Sequence, residues 1–274
     1  MKKFKALAIP YFIWLLFLVA LPLVVMLILT FMKTNGMDFS NASASFDAYQ
    51  RLHDISILKA IWNSLVVAFF TVVICILLGY PIAYFLSFSK LKNKMLFLLL
   101  LILPMWSNSM LRIVSWLRLF STDGLKALEL VGTMPAVIFV TVTTYLPFMI
   151  FPIYTVLEKL DRNLLEASKD LGVTPVKTFF KITLPLSLSG VSSGIIMVFL
   201  PAATGFAISQ TIGQGKIRLI GNLIQSVFEK NNYNFGSLLS ILLSIIIIAI
   251  VILFERSQGG KRRNKEEKKN AGKA

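Results

Sequence analysis

The stretch that decides the fold is residues 158–185, EKLDRNLLEASKDLGVTPVKTFFKITLP, which is charged and polar within an otherwise apolar sequence. Long uncharged runs flank it, at 130–157 and 182–215. Apolar runs of this length are typical of membrane-spanning helices, which need ~20 residues to cross the hydrocarbon. We therefore expect residues 158–185 to form a loop at a membrane surface.

The loop is predicted to fold as two short amphipathic helices separated by Gly172. Asp161 can cap the first helix, and Gly172 suits the left-handed residue that ends it. Thr174 and Pro175 then provide a cap and a first-turn proline for the second helix. Apolar residues share one face of each helix at helical spacing: Leu164, Leu165, Ala167, Ser168 and Leu171, then Val176, Phe179, Phe180 and Leu184. Such a helix–turn–helix can dock on a partner and transmit force.

A spaced motif runs through the same loop: E-A-S at 166–168, three residues, Gly172, nine residues, and I-T-L-P at 182–185. It resembles the EAA loop of ABC-importer permease subunits, with Ser168 where the family usually has a second alanine. Serine is also small, so close packing is kept. The alternative is a solvated loop without a partner, but so many fixed positions at fixed spacing favour the motif. The resemblance implies contact with an ATPase through Glu166, Ala167, Ser168, Gly172, Ile182, Leu184 and Pro185.

Composition indicates a membrane protein. The chain is 56% hydrophobic, with a mean hydropathy of +0.76. The third apolar run, 95–111, is short, and it reaches spanning length only if Arg112 extends its charged end to the interface. We predict an all-α polytopic protein with six transmembrane helices, at about 6–32, 60–88, 95–116, 134–157, 186–210 and 235–254.

The distribution of lysine and arginine predicts the orientation. With both termini in the cytoplasm, the inner side receives most of the 28 basic residues, including those at 90–94, in the loop 158–185 and in the tail. The net charge of +15 is then explained mainly by the basic residues that set the membrane orientation, and these residues also attract anionic membrane lipid. The basic tail 256–274 is predicted to be disordered and solvated, and a contact with nucleic acid is disfavoured.

The first apolar run imitates a secretory signal peptide, because basic residues precede it and Ala42, Ser43 and Ala44 resemble a cleavage site. The run is about twice as long as the apolar core of a signal peptide, so we interpret it as an uncleaved first span.

The sequence offers no catalytic or metal-binding set. Cys75 is the single cysteine and lies within the second span, and His53 is the single histidine and lies in an outer loop. A P-loop motif is missing, so we expect no cofactor, no metal and no ATP hydrolysis by this chain alone.

Helix-breaking residues indicate where a translocation path lies. Pro201, Thr204 and Gly205 are expected to interrupt the fifth helix, Pro104 the third, and Pro147 and Pro152 the fourth. Interrupted helices at membrane depth line protein or a water-filled path. The small-residue face 187–194 on the fifth helix suits either close packing within the subunit or a subunit interface.

Segments 103–112, 158–185 and 213–222 are each similar to segments of spermidine/putrescine importer permeases, and the chain resembles the first of the two permease subunits. This resemblance implies a type I ABC-importer permease fold, a bacterial inner-membrane location, ABC ATPase subunits, a second and different permease, and an extracytoplasmic binding protein. It also implies a polyamine substrate; an importer for another small solute is the alternative.

The predicted spans contain no Asp or Glu, so a polyamine would meet aromatic faces and amides rather than carboxylates. Aromatic residues in spans are also common interfacial anchors. Candidate path residues are Trp106, Asn108, Tyr145, Phe206 and Gln210, and candidate contacts for the binding protein are Lys216 and Arg218. A membrane enzyme or a secondary carrier is disfavoured, since the expected acidic or histidine clusters, internal repeat and coupling acid are missing.

Overall fold

The computed structural model describes residues 2–35, 38–122, 126 and 128–271, and only the backbone at 2–9, 12, 34–35, 38–42 and 255–271. Helices dominate this part of the chain. In order they are α1 (Lys2–Leu29), α2 (Asp47–Gln50), α3 (Ile55–Phe88), α4 (Lys94–Trp106), α5 (Ser109–Phe120), α6 (Met134–Glu158), α7 (Arg162–Asp170), α8 (Pro175–Thr178), α9 (Leu184–Thr204), α10 (Ala207–Gly213), α11 (Ile220–Glu229) and α12 (Tyr233–Ala271). A 3₁₀ turn, Arg51–His53, follows α2, and a π-helical turn, Phe179–Thr183, joins α8 to α9.

Four helical segments of the described chain are long and apolar enough to cross a membrane: α3, α6, Pro175–Thr204 and Tyr233–Phe254. The pair α4 and α5 makes a fifth if the two helices count as one span. The predicted first span falls on α1, whose described apolar part is Ile13–Leu29. The helical membrane architecture is confirmed, while the count of six and the orientation stay predictions.

Proline interrupts the predicted spans less than expected. Pro147 and Pro152 lie inside an unbroken α6, so the prediction of a broken fourth helix was wrong. A proline removes one backbone hydrogen bond, and the packing of α6 along α9 compensates for that loss. Pro201 itself stays within α9, but the fifth predicted span does break as expected, because α9 ends at Thr204 and α10 begins at Ala207. The third predicted span does break: α4 and α5 meet at 89°.

Two further segments differ from the expectation. The segment between α1 and α2 contains a small antiparallel hairpin, β1 (Met32–Asn35) with β2 (Asp38–Ala44), in which Met32 pairs with Ala44. The helix α12 continues to Ala271, so the tail predicted to be disordered is helical over most of its length.

The chain forms two compact units, residues 58–222 and residues 1–57 with 223–274. In the terminal unit, α1 packs against α12. The Asn234 amide donates hydrogen bonds to the carbonyl oxygens of Leu29 and Thr30, at 2.9 and 2.8 Å. These bonds satisfy carbonyl groups that the end of α1 leaves without helical partners.

In the central unit the core lies between α6 and α9. Met149 and Ile153 of α6 are fully buried, and glycines of α9 allow the two backbones to approach. A Cβ atom on Gly190 would lie 2.7 Å from the Pro152 carbonyl oxygen, and one on Gly194 would lie 2.6 Å from Met149 Sδ. These two members of the small-residue face therefore serve packing within the subunit.

Candidate functional site

The loop 158–185 folds as two helices around a left-handed glycine, as predicted. The Asp161 carboxylate caps α7 by accepting a hydrogen bond from the Asn163 N–H at 3.0 Å. Gly172 has a φ of +72°. Thr174 stands before Pro175 at the start of α8, although its side chain makes no capping hydrogen bond.

A hydroxyl pair joins the two halves of the loop. The Ser168 and Thr178 side-chain oxygens are hydrogen-bonded at 2.8 Å, and Ser168 is only 5% exposed. In the sequence motif, serine is acceptable at position 168 because it is small. Its hydrogen bond to the second helix adds a role that alanine cannot fill.

One face of the loop packs against the C-terminal end of α3. The Phe179 ring meets the rings of Tyr80 and Tyr84 edge-on, with centroids 5.7 and 5.5 Å apart. Arg162 donates a hydrogen bond to the Ser87 carbonyl oxygen at 3.3 Å. These contacts fix α7 and the π-helical turn to the end of a long apolar helix.

The opposite face of the loop, turned away from α3, exposes apolar side chains. Leu171 is 82% exposed, Val176 67% and Phe180 61%; we call these three residues the apolar knob. The single predicted stripe on the second helix is therefore wrong, because Phe179 and Leu184 pack inward while Val176 and Phe180 face outward. The π-helical turn changes the residue spacing and so separates the two faces.

The motif residues divide between the two sides of the loop. Glu166, Ala167 and Gly172 are exposed, whereas Ile182, Leu184 and Pro185 are half-buried. An exposed apolar surface flanked by charged residues is typical of a protein contact. The buried part of the motif anchors that surface to the spans.

The second half of the loop continues directly into a span. Pro175–Thr204 is one helical rod of 30 residues, or about 45 Å at the usual rise of an α-helix. At its far end the backbone becomes extended at Gly205, and α10 starts anew at Ala207. One continuous helical segment thus joins the loop to the break at Gly205.

Asn222 holds the backbone around this break, and the sequence argument did not identify it as a site residue. Its amide donates a hydrogen bond to the Phe206 carbonyl oxygen at 3.0 Å, and its Oδ1 accepts one from the Leu219 N–H at 3.0 Å. The Ser209 hydroxyl also donates to Asn222 Oδ1. In the sequence, Asn222 could have been identified only by its position at the end of the family-like segment 213–222.

Two of the predicted path residues line the same cavity beside the break. Tyr145 of α6 and Phe206 line one cavity of about 170 Å³. Hydroxyl-bearing residues Ser109, Thr141 and Thr144 line it as well. The lining of the cavity combines aromatic faces with hydroxyl groups and includes no carboxylate.

The other three candidates lie elsewhere. Asn108 caps α5, accepting from the Met110 N–H at 2.9 Å, and borders a second cavity of about 370 Å³. Trp106 is 88% exposed at the end of α4, and Gln210 is exposed on α10. Neither of these two side chains lines the cavity at the break.

Lys216 and Arg218 are both exposed in the segment between α10 and α11. The Arg218 carbonyl oxygen accepts a hydrogen bond from the Asn63 amide at 3.2 Å, which ties this segment to α3. The described residues supply no salt bridge to either side chain. Both charges are therefore available to an external partner.

Comparison with known proteins agrees with this architecture. The family model described as "Binding-protein-dependent transport system inner membrane component" matches residues 1–260. The spermidine/putrescine transport system permease protein PotB of Haemophilus influenzae is 34% identical over 258 residues, covering 89% of this chain and 90% of the relative. PotB of Escherichia coli K12 is 36% identical over 245 residues, covering 85% and 89%.

Solved structures share the fold. A subunit of a bacterial ABC transporter involved in the import of the acidic polysaccharide alginate superposes with a TM-score of 0.75 at 14% identity, covering 93% of this chain and 94% of the other. A chain of the MetNI methionine ABC transporter superposes with a TM-score of 0.57 at 16% identity, covering 76% and 95%. The chain belongs to the family of binding-protein-dependent transport system inner membrane components and is a multi-pass protein of the inner membrane.

Proposed function

We propose that this chain is a permease subunit of an ATP-driven importer of polyamines and that an ATPase subunit drives it through the loop 158–185. The observation that carries the proposal is the apolar knob, because Leu171, Val176 and Phe180 are exposed on a loop fixed to the spans. Apolar side chains exposed outside the membrane-spanning segments are unfavourable unless a partner covers them.

The loop has the mechanical properties that coupling requires. The Phe179 ring and the Arg162 guanidinium hold it to α3, and the rod Pro175–Thr204 joins it to the break at Gly205. Closure of an ATPase dimer against the apolar knob would displace the rod and so change the access to the cavity beside Tyr145 and Phe206.

The proposed partners follow from the same family. The two ATPase subunits of an importer each need one permease loop to contact. Because this chain has one such loop, we propose that a second and different permease subunit supplies the other. An extracytoplasmic binding protein would deliver the substrate near Lys216 and Arg218. A solved alginate transporter, which shares this fold, is in complex with an alginate pentasaccharide-bound periplasmic protein. ATP hydrolysis itself is assigned to the ATPase, since this sequence has no P-loop.

Spermidine and putrescine are the proposed substrates because both relatives described above are spermidine/putrescine permeases and each aligns with most of this chain. Aromatic faces at Tyr145 and Phe206 can attract an ammonium group without a carboxylate. Such contacts are worth ~0.5–2 kcal/mol each, which suits a weak transit site more than a storage site. Selection would then fall mainly to the binding protein.

Uptake of radiolabelled spermidine and putrescine tests the substrate. Cells that lack this chain are compared with the same cells carrying it on a plasmid, and with cells carrying the double variant Leu171→Ala with Phe180→Ala. We expect uptake only with the unaltered chain. Equal polyamine uptake with and without the chain, together with loss of uptake of another solute, would overturn the polyamine assignment and leave the permease role in place.

A further inference from the structure

Among the described residues of the central unit, Arg112 has no acidic side chain paired with it. It lies on α5, and its buried Nε–H has no hydrogen-bond partner. The described residues provide it with no salt bridge. The third predicted span reaches full length only if Arg112 extends to the membrane interface, whereas the inner part of its guanidinium is buried against the protein. An unpaired arginine at membrane depth is costly, so an anion is expected nearby.

The surroundings of Arg112 indicate a protein neighbour. Asn108, which caps α5, is spaced at i, i+4 and i+7 with Arg112 and Ser115 of α5, and Ser107 precedes them; we call these four residues the polar stripe. The polar stripe lines an open cavity of about 370 Å³ together with Leu111, Trp116 and Leu119. Polar stripes within membrane segments face protein or water-filled space rather than lipid tails.

The depth of the polar stripe is consistent with such an interface. The helix α4 spans 13 residues from Lys94, or about 20 Å, before α5 turns away at 89°. A hydrocarbon layer is ~30 Å thick, so α5 begins well inside it. The predicted spans of this chain contain no Asp or Glu that could pair with Arg112. Because no described carboxylate pairs with Arg112, another molecule is the source of the missing anion that the structure favours.

We propose that the polar stripe contacts the second permease subunit and that a carboxylate on a membrane span of that subunit pairs with Arg112. The inference rests on the proposed function, which supplies the second permease. The depth of α5 favours a protein carboxylate over a lipid phosphate, because lipid phosphates lie at the membrane surface. The ion pair neutralises Arg112, so that it does not repel a cationic substrate in the neighbouring cavity at Tyr145.

Photo-cross-linking of the whole complex tests the contact without any substrate. A benzophenone amino acid replaces Ser115, which lies one turn beyond Arg112 and leaves the arginine in place. The same probe at Leu77, exposed on α3, is the control. We expect the Ser115 probe to label a span of the second permease that contains Asp or Glu. Labelling of lipid alone, or of a span without an acid, overturns the proposal, and so does a complex that lacks a second permease.

Charge exchange then tests the ion pair. Arg112→Gln is expected to reduce co-purification of the second permease and uptake about tenfold or more, because the partner carboxylate is left unpaired. Arg118→Gln removes the same charge from an exposed position of α5 and should stay within about twofold. Arg112→Glu combined with Lys in place of the labelled acid should restore assembly.

If the exchanged pair fails to restore assembly while each single variant disrupts it, the proposed pairing is wrong. A correctly labelled acid whose replacement by Gln has no effect also contradicts it. These readouts use assembly rather than polyamine uptake, so a failure here is distinct from a failure of the substrate assignment.

Discussion

The Ser168 and Thr178 hydroxyl groups are hydrogen-bonded to each other at 2.8 Å, across the turn that separates α7 from α8. The two residues are ten positions apart, and Ser168 is buried at the junction. Because α8 continues into the rod Pro175–Thr204, this bond connects the first half of the loop to the span. It makes the two halves move together.

Replacement of Ser168 by alanine should loosen the loop without unfolding the chain. Loss of one hydrogen bond costs ~1 kcal/mol, which corresponds to about fivefold faster local opening. Hydrogen–deuterium exchange of the α7 and α8 amides measures this change. Thr178→Val should have a similar effect, and the double variant should add little. Fully additive effects of the two substitutions would show that the hydroxyl groups act separately.

Backbone conformation, rather than space, limits substitution at Gly172. Its φ is +72°, yet no atom lies within 4 Å of the position that a Cβ would occupy. The left-handed conformation costs ~1–2 kcal/mol for most residues and less for asparagine. We expect ATP-driven uptake to fall with Gly172→Val and Gly172→Ala, and to be largely kept with Gly172→Asn. Equal loss in all three variants would contradict the backbone explanation.

The positions of the loop elements could be predicted because their causes are local. A capping aspartate, a left-handed glycine and a first-turn proline each act on neighbouring backbone, so Asp161, Gly172 and Pro175 stand where the sequence placed them. The outward direction of Phe180 could not be predicted in this way. It depends on a π-helical turn and on the packing of Phe179 against Tyr80 and Tyr84, which are far away in the sequence.

Gly190 should be intolerant of even one added methyl group. A Cβ there would lie 2.7 Å from the Pro152 carbonyl oxygen, which is rigid backbone of α6. Gly190→Ala is expected to destabilise the fold by ~1–3 kcal/mol through overpacking. Thermal unfolding in detergent measures the effect, with Ser193→Ala on the exposed side of α9 as the control. An unchanged melting temperature for Gly190→Ala would mean that α6 and α9 are not this close.

Asn222 should be essential for the geometry of the break after α9. Asn222→Ala leaves the Phe206 carbonyl and the Leu219 N–H without their partner, at a cost of ~2 kcal/mol or more. Asn222→Asp keeps an acceptor for Leu219 but cannot donate to Phe206, so its loss should be intermediate. Gln225→Ala, on the same helix α11, is the control. The melting temperature and the uptake rate should both fall, and both should fall further in Asn222→Ala than in Asn222→Asp.

The break itself was foreseeable, but its support was not. The residues 201–205 indicated an interruption, and α9 ends at Thr204. Asn222 reaches the Phe206 carbonyl from a different helix, and a contact of this kind depends on tertiary structure rather than on local spacing. The same holds for α6, where packing against α9 keeps a helix with two internal prolines continuous.

We expect an ATPase to drive this chain through the apolar knob. The most direct measurement of this coupling is ATP-driven uptake of labelled spermidine into liposomes that contain the whole complex, with ATP hydrolysis recorded on the same preparation. We predict that Leu171→Ala with Phe180→Ala reduces uptake about tenfold or more, as loss of two central contact residues would. Leu77→Ala, an equally exposed apolar residue on α3, should leave uptake within about twofold. Unchanged uptake and hydrolysis with both knob residues replaced, in a complex that still contains the ATPase, would contradict the account.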